Sequence, residues 1–61
     1  MEPEVRALLK IAIDRKFETY KRFARFSRTD SENLKKLFTR LAIEELRSMR
    51  LLEHVLKLND F

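Results

Sequence analysis

The chain has 61 residues with no cysteine, no glycine and a single proline, 44% hydrophobic and 39% charged, with a formal net charge of +4. One small domain is the most such a length supports, and it needs a staple, a metal or a second copy to hide enough apolar surface. The composition excludes disulfides, thiolate metal sites, glycine-rich phosphate loops and tight hairpin turns. Its charge density excludes a membrane span. The chain opens on Glu2 and Glu4 rather than on a basic region before an apolar run, so a cytoplasmic protein is the expectation. The lack of Cys and Gln beside many Glu, Lys and Arg is thermophile-like.

Pro3 suits a first helical position, and Glu2 and Glu4 oppose the helix dipole favourably. From there Val5, Leu9, Ala12, Lys16, Thr19, Phe23 and Phe26 recur in helical steps of 4 and 3. Ile13, Phe17, Tyr20 and Ala24 run beside them. The spacing predicts a first helix over residues 3 to about 27.

The break falls at about residues 28–30. Thr29 followed by Glu32 has the spacing of a capping box, with Asp30 in the first turn. A single uninterrupted helix, exchanged between two copies, is the alternative. A second helix is expected from about residue 30 to 58, with Asn59, Asp60 and Phe61 as a fraying end. Its seam reads Leu34, Phe38, Leu41, Glu45, Ser48, Leu52 and Val55, polar only at the two central positions. Further rows, Ala42, Leu46, Met49 and Leu56 on one side and Leu37, Leu51 and Leu58 on the other, widen the apolar face. Two helices cannot cover so much. The expected architecture is all-α, an antiparallel two-helix hairpin dimerising into a four-helix bundle.

Folding the chain at residue 30 pairs the seams in layers, from Val5 with Val55 to Phe26 with Leu34. Lys16 and Glu45 fall in one layer, and Ala12 meets Ser48. A polar layer inside an apolar seam is a register device or a site.

The run from Leu37-Phe38 to Leu51-Leu52-Glu53, with the upstream segment Ala12 to Phe23, resembles the rubrerythrin branch of the ferritin-like proteins. The resemblance covers nearly the whole chain as one helical pair. It implies a first-helix glutamate and a Glu-x-x-His motif from each pair, two pairs enclosing a di-iron centre. Carried over, the second-helix glutamate is Glu45, the histidine position is Ser48 and the first-helix glutamate position is Lys16. Glu45 alone remains as a metal ligand. The resemblance therefore implies a degenerate metal site, with a Lys16–Glu45 ion pair in the space of the lost metal and no cofactor. Two other arrangements stay open: Lys16 extending to solvent while Glu45 bonds Ser48 or Thr19, or Glu18 acting as the first-helix carboxylate.

His54 is the sole histidine and lies too far from Ser48 to complete a ligand pair with Glu45. Tyr20 and Met49 read as packing residues, and Ser48 has no base beside it. Between Arg15 and Arg28 stand six cations and one acid, with Lys21, Arg22, Arg25 and Arg28 as a basic patch near the turn. No recognition motif accompanies that patch, so nucleic acid is not the expected partner. Three functions follow: a structural or interaction module that has lost its di-iron centre, a residual iron protein with peroxidase or ferroxidase-type activity, and a small basic binder of nucleic acid or an acidic partner. The first leads, and a homodimer or higher homo-oligomer is its expected form.

Overall fold

In the computed structural model, which describes residues 1–59, two helices pack against each other along their length: α1, Pro3–Phe26, and α2, Glu32–Leu58. The exchanged single helix is therefore not adopted. Among the described residues there is no strand, and no helix is long and apolar enough to cross a membrane.

Helix α1 begins as its sequence requires. Glu2 stands at the N-cap in extended backbone without a side-chain cap, Pro3 occupies the first turn, and Glu4 lies near the positive end of the dipole. Its other end closes without glycine and, among the described residues, without any left-handed backbone. Ser27 takes the role instead. Its amide donates to the Phe23 carbonyl at 2.9 Å and its hydroxyl to the Ala24 carbonyl at 2.6 Å. The amides of Arg28 and Thr29 then satisfy the carbonyls of Arg25 and Phe26.

This closure corrects the expected cap of α2. The Thr29 amide is still bonded to the end of α1, whereas an N-cap needs extended backbone and a side-chain oxygen that accepts from the first-turn amides. Ser31 supplies both: φ −78°, ψ 118°, its side chain accepting from the Leu34 amide at 3.4 Å. The second helix thus starts two residues later than expected, and Glu32 rather than Asp30 meets its dipole. Leu34 stands where a capping box needs a carboxylate, so the cap is one-sided. At the far end the Asn59 side-chain amide donates to the Val55 carbonyl at 2.9 Å. Asp60 and Phe61, the rest of the expected fraying end, lie outside the described residues.

The seams meet as the helical spacing dictates. Leu9, Ala12, Lys16, Thr19 and Phe23 of α1, with Phe38, Leu41, Glu45, Ser48 and Leu52 of α2, are all partly covered. Phe38 anchors the turn end, stacked on Phe23 at 6.2 Å between ring centroids and tilted against Phe26 at 5.6 Å. Phe26 thus leans onto Phe38 rather than squarely onto Leu34.

The pair is nonetheless almost coreless. Among the described residues Ala42 alone is buried. The radius of gyration is 14.2 Å and the long axis 46 Å, against about 10–11 Å for a compact chain of this length. A folded monomer of 7.4 kDa ordinarily exposes about 4,200 Å²; this hairpin exposes 5212 Å². Its elongated shape leaves large apolar side chains such as Leu8, Leu51 and Leu58 in water.

Candidate functional site

Midway along the seam, Lys16 and Glu45 face each other. The Lys16 ammonium donates to Glu45 Oε2 at 3.5 Å, a hydrogen bond and ion pair in one contact. Each helix places its member by period alone: Lys16 lies between Leu9 and Phe23 in the α1 stripe, Glu45 between Phe38 and Leu52 in that of α2. The two side chains remain 34% and 27% exposed. In a single hairpin the layer is therefore wet at its edges, which screens the pair.

Of the arrangements left open by the sequence, the structure adopts the ion pair. Lys16 does not turn outward. Glu45 takes its hydrogen bond from Lys16 rather than from Ser48 or Thr19, whose hydroxyl instead donates to the Arg15 carbonyl at 3.0 Å. Ser48 is half-buried one turn further along α2. Glu18 is away from the seam, paired with Lys21 at 2.9 Å and well exposed, so the helix does not present it as the first-helix carboxylate.

Ligand chemistry for a metal is thin here. Among the described residues no group of three His, Cys, Asp or Glu side chains is placed to hold an ion. Glu45 is a single carboxylate, and the cation beside it is the Lys16 ammonium. His54 lies on the exposed side of α2 near Arg50, Glu53 and Lys57, far from that layer. These residues do not fit a di-iron centre.

The basic patch has a different geometry from the one its spacing suggests. Lys21 is neutralised by Glu18 and lies over the Phe17 ring at 4.9 Å; the Arg25 guanidinium lies over Phe26 at 5.3 Å. Phe17 in turn stacks on Tyr20 at 6.2 Å. The fold adds cations that a linear reading of α1 omits, because Lys35, Lys36 and Arg40 of α2 return to the same end. Residues 18–40 hold seven Lys or Arg against three Asp or Glu, a net +4 that equals the charge of the whole chain. The turn end is positive and the open end close to neutral. Those cations line two open concavities, Lys35, Lys36 and Arg40 with Glu44 and Arg47 on α2, and Lys21, Arg22 and Arg25 with Glu18 on α1.

Comparison with known proteins finds no matching family model, no similar curated protein and no similar solved structure.

Proposed function

We propose that this chain is a structural or interaction module, a rubrerythrin-like helical hairpin whose working form is two copies in a four-helix bundle. In this reading Lys16 and Glu45 stand in the layer that a di-iron centre holds in the proteins the sequence resembles, the ammonium supplying the positive charge. The observation that carries it is the surface. The hairpin exposes 5212 Å², about 1,000 Å² more than a folded chain of its mass. A stable dimer of standard size covers about 800 Å² per partner. One further copy is the right amount of cover.

The ion pair then acts as a register key. Its Coulomb gain is offset by desolvation, so it adds little net stability. Sliding either helix by one turn would instead leave two unpaired charges among apolar side chains, which is strongly unfavourable. A residual iron enzyme is the weaker reading, because Glu45 is alone as a ligand and already bonded to a cation.

The test combines mass and metal. Sedimentation equilibrium should give twice the 7.4 kDa chain mass, and elemental analysis after anaerobic exposure to ferrous iron should find no stoichiometric iron. A folded monomer at high concentration would remove the module reading. Near-stoichiometric iron per dimer would replace it with the metalloprotein.

A further inference from the structure

The two broad faces of the hairpin are unequal, and the inequality selects how the second copy sits. In an antiparallel pair, positions displaced from both seams in the same rotational sense fall on one side. One side carries Ile13, Tyr20, Ala42, Leu46, Met49 and Leu56, all at least partly covered within the hairpin, with Phe17 at 43% exposure on its outer edge. The other carries Leu8 at 65% exposure, Leu51 at 63%, Leu58 at 57% and Leu37 at 47%, beside seam residues left open at the two ends, Val5 and Val55 at one and Phe26 at the other. Apolar side chains in that number, aligned along one side, form an interaction surface.

Charge decides the orientation. The charged positions of this second side are Arg15 and Arg22 on α1 and Glu44 on α2; Arg15 and Glu44 stand midway, at the same level of the hairpin, and Arg22 nearer the turn. A two-fold axis perpendicular to the helices would lay α1 on the partner's α1, setting Arg15 against Arg15 and Glu44 against Glu44. An axis along the helices lays α1 on the partner's α2 and preserves every level. Arg15 then meets the partner's Glu44, twice by symmetry, while Leu8 meets the partner's Leu51. Every interhelical contact in the resulting bundle is antiparallel.

We propose that a second copy docks on the Leu8–Leu51–Leu58 side about a two-fold axis parallel to the helices, with both turns at one end and Arg15 paired to the partner's Glu44. The inference rests on the dimeric reading above and specifies its face and symmetry. It brings two positive turn ends together, but Lys21, Arg25 and Lys36 project outward, and charges further apart than about 8 Å are screened at physiological salt. Short-range complementarity along the face prevails.

The chain has no native cysteine, so a spin label on Asp30→Cys, exposed in the turn, is unambiguous. Adjacent helices pack about 8–10 Å apart, so labels in the proposed dimer lie within about 25 Å. A perpendicular axis would separate them by a distance approaching the 46 Å long axis. A short distance supports the proposal; a long one overturns it while leaving the dimer intact. A monomeric mass with no dipolar coupling would instead remove the dimeric reading itself. As a second readout, Leu51→Glu should raise the dimer dissociation constant at least a hundredfold and Phe17→Glu, on the other side, less than fivefold. The reverse order would assign the interface to the Phe17 side and overturn the proposal.

Discussion

Replacing Lys16 and Glu45 by methionine, singly and together, reads how dry their layer becomes. At the observed 3.5 Å, two unit charges attract by about 1 kcal/mol in water and about 5 kcal/mol at an effective dielectric of 20. In a lone hairpin, with both side chains roughly a third exposed, the pair belongs to the surface class and couples by about 0–1 kcal/mol. In a bundle the second copy covers the layer, and loss of one partner then costs about 3–5 kcal/mol. Removing both, with methionine filling the volume, is expected to be neutral or to stabilise by about 1–4 kcal/mol. The assay is a double-mutant cycle from urea unfolding followed by circular dichroism, at a concentration where the wild type is dimeric. Coupling of about 2 kcal/mol or more, with a double variant at least as stable as wild type, is the expected result. Coupling below about 0.5 kcal/mol in a confirmed dimer would place the pair in water and refute the register role.

Three further outcomes follow from the same contacts. Phe38→Ala removes the ring that meets both Phe23 and Phe26 and should cost about 2–3 kcal/mol, less than a fully buried phenylalanine because Phe38 is only partly covered; a midpoint shift in urea worth under about 1 kcal/mol would contradict that anchor. Ser31→Ala should cost about 0.5–1 kcal/mol, at the lower end for a cap because its bond to the Leu34 amide is 3.4 Å. Thr29→Ala, by contrast, should stay within about 0.5 kcal/mol, and a reversal of the two would return the cap to Thr29. Glu18→Gln breaks the contact with Lys21 and should shift stability by less than about 1 kcal/mol, as exposed i, i+3 pairs do.

Periodicity made most of this hairpin legible. Both helices, their direction, the covered seam from Leu9 to Phe23 and the Lys16–Glu45 layer all follow from apolar spacing and one fold point near residue 30, because helical steps of 4 and 3 fix which residues share a side. The cap was not legible. Ser27, Thr29 and Ser31 offer three hydroxyls in five residues, and Glu32 gives Thr29 the correct spacing for a box. The choice among them depends on how α1 ends, which is decided by the Ser27 hydroxyl reaching the Ala24 carbonyl. Spacing also assigns Phe26 a layer without its rotamer, so its lean onto Phe38 is a packing outcome. The apolar rows beside the α2 seam were visible as Leu37, Leu51 and Leu58 opposite Ala42, Leu46 and Met49. Only the folded pair distinguishes the row that α1 helps to cover from the row left in water.

For the site, sequence alone left Lys16 free to extend or to pair, since a four-carbon stem reaches either environment. The interhelical distance at this layer resolves that choice in favour of Glu45. The turn-end charge was underestimated for a topological reason. A linear reading groups Lys21, Arg22, Arg25 and Arg28, and the reversal of the chain brings Lys35, Lys36 and Arg40 to the same pole.

The central claim is that folding and association of this hairpin are one process, since a chain with Ala42 as its sole buried residue among those described lacks a core of its own. The most direct measurement is the thermal midpoint as a function of protein concentration. For a dimer that unfolds to two chains, the midpoint rises steadily with concentration by mass action, and that rise is the expected result. A midpoint that stays constant from micromolar to millimolar protein would show a hairpin stable as a single copy and contradict the claim.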